Sequence, residues 1–597
     1  MGDDASAADL DHRGASAADI PASFAADGSV VVADSRGQLA HRELVAANER
    51  LGPRLWSVGP NAWCVVGNGL SNQTFVRGPE GLIAIDTGEC VEEMAAAIAQ
   101  IRTVTDTPIA AVLYTHFHYV AGTTAVFDDA GGPVPVWGHA RIGANRRRVG
   151  GEVNPFGSRG LIHQFGIRLP ADGPDALVNV GLGRAFRMPE HAPYTPGYVA
   201  PTDTFSEPAT ATVAGLRVEF TPAPSDADDS ATIWFPDLGV AVNNLVWPAL
   251  FNVFPIRGEE YRDPRILLAG LDHLAGLGAD HLIGAHGPPL DGADHIRDGI
   301  IRYRDSIQYL WDQTVRGMNK GLSIDELVRF VQLPEIYHES PLTSQTYGLA
   351  EHHVRQIHTG LKGWFDDRDD LLFSLAPDDR ARRLIDGFGG PDEVRRQADE
   401  ALAADDVRWA LELASWLVQR ELDGDGRADG GTPEDRRRLA AVLRTIAQRT
   451  MSANVRNWAL TRALELEGRL DLSRLRTHRF PRPATLADPT QSVRVLRVLL
   501  DPHAAAGVDE HVAFDFGPDH PTVGLHVRHG VAVPTTGTGA AVTVRTTAET
   551  WADLLGAGTA LDEAIAAGAV VVEGDGEQAR AVLAAFDLPG FSVPADR

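Results

Sequence analysis

The chain changes its hydrophobic period part-way along, and that change limits the possible folds more than any single motif does. Between residues 51 and 295, short apolar runs bounded by Gly and Pro recur: Gly81–Ile85, Ala110–Tyr114, Val134–Trp137, Leu216–Phe220, Thr232–Phe235 and Gly239–Val242. Runs of that length between turn formers predict strands. Val91–Ile101 and Pro264–Leu274 carry helical spacing between them, so the segment is expected to be an α/β layered domain. From 296 to 480 the strand pattern disappears. Val407, Ala410, Leu411, Ala414, Leu417 and Val418 recur at helical spacing, with Trp409 and Trp416 widening the buried face. Pro481, Pro483 and Pro489 predict a linker. Residues 487–597 then mix short strands (Val523–Val527, Ala541–Thr546) with helices near Ala548–Leu555 and Glu577–Phe586. Residues 1–50 are rich in Ala, Asp and Gly and read as a poorly ordered arm ending in a short helix. A length of 597 residues exceeds what one core can organise, which agrees with several domains.

Composition excludes several classes of function. The formal net charge is −27, from 81 acidic against 54 basic residues. A nucleic-acid groove needs a cationic surplus, so no nucleic-acid partner is expected. A small anionic substrate needs only one or two local Arg residues and stays admissible. Cys64 and Cys90 are the only cysteines, too few for a disulfide framework or a thiolate metal cluster; both are expected to be buried apolar positions. A metal would have to be held by His, Asp and Glu. The start MGDDASAADLDHRGASAADIP lacks a signal peptide's apolar centre. No stretch approaches the ~20 apolar residues of a membrane span. A cytoplasmic protein is the expectation.

The strongest local signal is Tyr114-Thr115-His116-Phe117-His118, delivered by the apolar run Ala110–Leu113. In an extended segment, His at i and i+2 point to one side, and strand ends are where α/β sheets usually bind ligands. Two more pieces lie in the same domain. Asp226, Asp228 and Asp229 sit in a loop between two predicted strands and offer a hard oxygen ligand. His286 follows the apolar run Leu282-Ile283 in Gly284-Ala285-His286-Gly287-Pro288. Each piece alone reads more readily as a surface, core or turn residue; three at strand ends in one domain point to a metal.

The order of these parts resembles the metallo-β-lactamase fold: Asp86 in Ile85-Asp86-Thr87-Gly88, then Thr115-His116-Phe117-His118, an acidic loop, and the final His286. The flanks resemble the alkyl sulfatases of that fold in Ser71–Phe75, Pro201–Phe205, Leu361–Phe365, Gly389–Ala398 and Val455–Trp458. The resemblance implies an αββα sandwich over 51–295, a helical dimerisation domain over 296–480, and a small α/β sterol-carrier-like domain over 487–597. It also implies a homodimer and an anionic or alkyl-chain small-molecule substrate.

The same resemblance exposes a departure. The family pattern is T-H-x-H-x-D-H, whose last two residues serve a second metal; here they are Val120 and Ala121. The family's metal-bridging glutamate falls on Asn244, and its usual second His after His286 is Gly287. The expected metal ligands are therefore His116, His118 and Asp226, with Asp228 and Asp229 as alternatives to Asp226. His286 joins them as fourth ligand or as a supporting group. One divalent metal, zinc or iron, suits two His and a carboxylate. Arg257 matches the family's sulfate-binding arginine, and a guanidinium fork holds such a group by paired hydrogen bonds. Arg257, Tyr119, which follows the His pair into the vacated second site, and Asn244 are the candidate catalytic residues. The implied activity is a metal-dependent hydrolase of sulfate-ester-like substrates working with one metal rather than two. A one-iron enzyme of oxidative or lyase chemistry and a non-catalytic binding relative are the alternatives.

Overall fold

Alternation along single strands builds the first domain. In Ala62–Val66, Ala62, Cys64 and Val66 pack on one side while Trp63 and Val65 pack on the other. In Gly81–Ile85, Ile83 and Ile85 are set against Leu82 and Ala84 in the same way. A strand apolar on both faces has to be covered on both. The inward set meets Val218, Phe220, Ile233, Phe235 and Val242 of a second sheet. The outward set meets Met94, Ala97, Ile98 and Ile101 of the helix Val91–Ile101. The far face of the second sheet, with Ala241 and Leu282, is covered by Leu267, Leu271 and Leu274 of the helix Pro264–Gly276 and by Ile300 and Tyr303 of Ala293–Met318. The result is the four-layer αββα sandwich.

The first sheet has seven strands in sequence order: Arg54–Val58, Ala62–Val66, Gln73–Gly78, Gly81–Ile85, Ile109–Leu113, Val136–His139 and Asp203–Phe205. It is antiparallel up to Gly81–Ile85 and parallel from there on. The second has six, Ala209–Val213, Leu216–Pro222, Ala231–Phe235, Val240–Asn243, His281–Gly284 and Leu290–Asp291. Only Val240–Asn243 and His281–Gly284 pair in parallel there. Every strand expected from the sequence in this domain forms, with ends within two residues of those read.

The structure is a computed structural model and describes residues 23–149 and 152–591. These fall into two compact units: residues up to 147 together with 159–471, and residues 148–158 together with those from 472 onward. The helical segment belongs to the first unit. Its helix Ala453–Leu466 is buried on nearly every side, and Arg456 within it donates to the carbonyls of Leu39 and Ala176 at 3.1 and 2.9 Å. The expected N-terminal arm is corrected for its described part. Val31–Ala33 and Leu39–His41 form a two-stranded ribbon leading into the helix Arg42–Leu51, and Ala40 and Leu44 pack against Val178 and Ala453. The rest of the arm, residues 1–22, lies outside the described residues.

The proline-marked linker is likewise corrected. Pro483 and Pro489 occupy first turns of the short helices Arg482–Ala487 and Pro489–Val495, where a missing N–H costs nothing. The second unit holds a five-stranded sheet, ordered Val531–Thr535, Val523–Arg528, Asp509–Asp515, Val542–Thr546 and Val570–Glu573. Trp551, Leu554 and Leu583 pack on it from helices. Cys64 and Cys90 are free and buried, as expected.

Phe220 is the centre of the inter-sheet core, its ring 4.9 Å from that of Phe205 and 5.5 Å from that of Trp137. Phe220→Ala is expected to destabilise the first unit by about 3–5 kcal/mol, read as a shift of the denaturant midpoint at unchanged slope.

Candidate metal centre

The centre is built where the strand Ile109–Leu113 ends. Tyr114 N–H still bonds to the Trp137 carbonyl at 2.9 Å, and the chain then turns. His116 is extended, at φ −168° and ψ 179°, while Phe117–Tyr119 forms a turn of 3₁₀-helix. The His pair is therefore not carried on a straight strand, yet its rings converge edge to face, centroids 5.0 Å apart. Thr115 holds this segment to both sheets. Its N–H and hydroxyl reach Asp86 Oδ1 and Oδ2 at 2.8 and 2.6 Å, and its carbonyl accepts from Ala231 N–H at 2.9 Å.

Hydrogen bonding sets which nitrogen of each imidazole is open. Thr115 gives its one hydroxyl hydrogen to Asp86 Oδ2, so its oxygen accepts from His116 Nδ1–H at 2.8 Å. His116 Nε2 is then a bare lone pair; it is fully buried and has no hydrogen-bond partner. It faces Asp226 Oδ1 at 4.0 Å, and His118 Nδ1 faces Asp226 Oδ2 at 3.2 Å. His116, His118 and Asp226 each place one ligand atom within 4.8 Å of the others. A buried donor-free nitrogen beside a carboxylate and a second imidazole is what a divalent cation requires. The residues fit a metal.

The acidic loop divides its labour. Asp226 alone turns to the His pair. Asp228 pairs with Arg141 at 2.6 Å and accepts from Asn145 at 2.6 Å. Asp229 lies under the turn, accepting from Phe117 N–H at 3.4 Å. Burial opposes ionisation of Asp226, but His118 and His116, with Arg262 adding to them, hold its carboxyl well below the usual range. Burial instead pushes Asp229 up to about 6 and Asp86 up to about 7.

Asn244 is placed against Asp226, its amide donating to Oδ1 at 2.6 Å while its oxygen accepts from Trp247 Nε1 at 3.2 Å. Val120 is buried in the apolar cluster with Met94 and Ile98. Ala121 is fixed through its backbone, N–H to the Gly88 carbonyl at 3.0 Å. His286 does not join the three-residue group. Its Nδ1–H donates to the Leu70 carbonyl at 2.9 Å, leaving Nε2 to face the Tyr119 hydroxyl at 3.4 Å. Tyr119 lies between the His pair and His286, its ring 5.1 Å from His116 and 5.3 Å from His286. Arg257 packs over Phe165 and pairs with Glu259, which also holds Arg262. The Arg257 charge is felt at Asp226 and at Tyr347.

Several residues of the site carried no role in the sequence reading. Asn72 donates from its side chain to the carbonyls of Gly284 and Gly287 at 2.8 and 2.7 Å, so the Ser71–Phe75 segment clamps the His286 loop. Gly287 has φ +73°, and a Cβ there would meet Pro248 at 2.6 Å, which suits the close turn after His286. Glu89 and Glu93 are neighbouring buried carboxyls that burial raises, Glu93 to about 7. Tyr347 comes from the helical segment and accepts from Gln164 at 3.2 Å.

A two-sheet αββα core with His-x-His and Asp converging at its strand ends defines a metallo-β-lactamase-fold metalloenzyme, and residues 66–242 match the metallo-beta-lactamase superfamily model. Residues 323–469 match the alkyl sulfatase dimerisation model and residues 486–593 the alkyl sulfatase C-terminal model. A linear primary-alkylsulfatase of Pseudomonas sp. (strain ATCC 19151) is 34% identical over 489 residues, 79% of this chain and 90% of that protein. An (R)-specific secondary-alkylsulfatase of Pseudomonas sp. is 27% identical over 553 residues, 88% of this chain and 79% of the relative. Among solved structures, the stereoselective inverting sec-alkylsulfatase Pisa1 from Pseudomonas sp. superposes with a TM-score of 0.79 at 25% identity, covering 93% of this chain and 88% of its own. The chain belongs to the alkylsulfatase family, metal-dependent hydrolases on the metallo-β-lactamase fold. No helix among the described residues is long and apolar enough to cross a membrane.

Burial drives His116 down to about 3 and His286 down to about 4. Both pKa values lie below the unperturbed ~6.5, so both rings stay neutral as pH falls through that value. ¹⁵N resonances of the metal-free protein are expected to show neutral imidazoles at these positions from pH 8 down to pH 5. A midpoint near 6.5 for either ring would contradict the burial.

Proposed function

We propose that this protein hydrolyses alkyl sulfate esters to the alcohol and inorganic sulfate with one divalent cation per chain, zinc or iron. The observation that carries the single-metal reading is the Tyr119 hydroxyl on His286 Nε2, with Val120 and Ala121 offering no donor beside it. One histidine already engaged by a phenol does not hold a second ion. His116 Nε2, His118 Nδ1 and Asp226 would hold the one cation. When bound there, it supplies a Lewis acid for a sulfate oxygen.

The chain's own groups do the rest. Asn244 is a positioning residue: its amide fixes the Asp226 oxygen it bonds to, and Trp247 fixes Asn244. Arg257 spends part of its five-donor fork on Glu259 and has donors left for the anionic head. Tyr119 stays protonated, because burial raises its phenol well above the ordinary value. Its one hydroxyl hydrogen faces His286 Nε2, so Tyr119 is a positioning residue that holds that ring beside the His pair. Tyr347 and Trp247 wall the site against water.

The test is sulfate release from octyl sulfate alongside elemental analysis. One metal per chain and release of inorganic sulfate are expected, with Asp226→Asn losing both. Arg257→Ala is expected to lower kcat/KM by about 100-fold, as for removal of a charged contact to the reacting group. Two metals per chain would overturn the single-site reading, and no release with metal retained would overturn the substrate class.

We further propose a homodimer, with the boundaries 51–295, 296–480 and 487–597 marking catalytic, dimerisation and C-terminal parts. The helical segment leaves Trp364 66%, Leu372 55% and Phe373 94% exposed, apolar surface of the kind a two-fold contact covers. Trp364→Ser with Phe373→Ser is expected to halve the mass measured by light scattering; an unchanged mass would move the interface elsewhere.

A further inference from the structure

A cavity of about 260 Å³ opens between the strand His281–Gly284, the helix Ala293–Met318 and the turn Pro341–Thr343. His116, His118, Asp226 and Arg257 do not line it; His286 and Trp247 do. Its walls are apolar, from Val246, Leu282, Leu290 and Leu342, while Arg50 and Arg302 stand on its lining. Arg50 is half-buried, and its one hydrogen bond is a 3.4 Å contact to the Pro248 carbonyl; among the described residues no carboxylate lies within ion-pair distance of it, and Glu43 acts on it only at longer range. Arg302 has only Glu339, at 3.8 Å and 63% exposed, a pair worth little in water. Asp298, a carboxylate on the lining, turns to solvent, with Arg297 at 3.4 Å in a similarly exposed pair.

A guanidinium withdrawn from water without a counter-ion is costly, and an anion beside it recovers that cost. Burial already lowers the basicity of Arg50, which marks the same desolvation. Apolar walls beside it add the transfer of an alkyl chain out of water. We propose that this cavity is a binding site for a small amphiphilic anion, an alkyl chain ending in a carboxylate, sulfate or sulfonate, with its head on Arg50 and Arg302 and its chain against Leu282, Leu290 and Leu342. The proposal does not rest on the reaction proposed above, although the cavity shares His286 and Trp247 with that site. It lies against Trp247, the residue that holds Asn244, so an occupant touches the support of Asp226 without entering the metal centre.

The experiment is calorimetric titration of the full chain with 1-octanesulfonate, whose C–S bond a sulfatase cannot hydrolyse. Octanoate, octan-1-ol and inorganic sulfate serve as controls. The sulfonate and octanoate are expected to bind, and the alcohol and sulfate, each lacking half of the ligand, at least tenfold more weakly. Arg50→Gln is expected to weaken the sulfonate about tenfold or more. Gly299→Leu should abolish binding by filling the cavity, since a Cβ there already reaches Leu342 at 3.5 Å. Should that variant fail to fold, Arg302→Gln replaces it. His116→Ala, which disables the metal centre, should bind as the parent does. Loss of binding in His116→Ala would place the anion at the metal centre and overturn the second site, and so would unchanged binding in Arg50→Gln. Failure of sulfate release would leave the result standing.

Discussion

The candidate metal centre depends on the buried carboxyl of Asp86. It stands at the end of Gly81–Ile85 in a left-handed conformation, φ 54°, which Asp tolerates better than most residues. Both of its oxygens are taken by Thr115, which ties the ends of two parallel strands together. The same contact selects the tautomer of His116 and leaves Nε2 open in a pocket where that nitrogen has no other partner. Ala231 adds the second sheet to the same residue through the Thr115 carbonyl. Strand ends, ring orientation and donor choice are thus set together.

The layers were legible because their physics is local. Period-two alternation in Ala62–Val66 and period 3.6 in Val91–Ile101 each state which face is covered, and the structure covers those faces. What was not legible is polar burial. Arg456 is fully buried and hydrogen-bonds to carbonyls more than 270 residues away in sequence. A hydropathy pattern reads such a residue as surface, so Ala453–Leu466 looks less buried than it is. The prolines near 481–489 misled for a related reason, since proline both ends an element and begins a helix.

In the site, sequence order separated candidates from bystanders only partly. Asp226, Asp228 and Asp229 are equivalent as letters; the turn after Thr221 aims one at the His pair, one at Arg141 and one beneath Phe117. Asn244 was found by position, and its contact explains the residue type. A carboxylate there would face Asp226 with like charge, whereas an amide donates to it and accepts from Trp247. Asn72 and Glu259 could not be read at all, because their partners lie across the fold or already carry another role.

The departures from the family pattern hang together once the geometry is considered. Val120 is directed into the apolar layer under Val91–Ile101 and offers no donor to a second cation. His286 would then be a buried imidazole with an idle lone pair, which costs free energy unless a donor meets it. Tyr119 is that donor. Its hydroxyl satisfies His286, its ring fills space between His286 and His116, and its bulk excludes an ion from the place it occupies. In the proposed single-metal reading, deleting ligands is not enough: His286 has to be given a partner, and the residue between the His pair and Val120 supplies one.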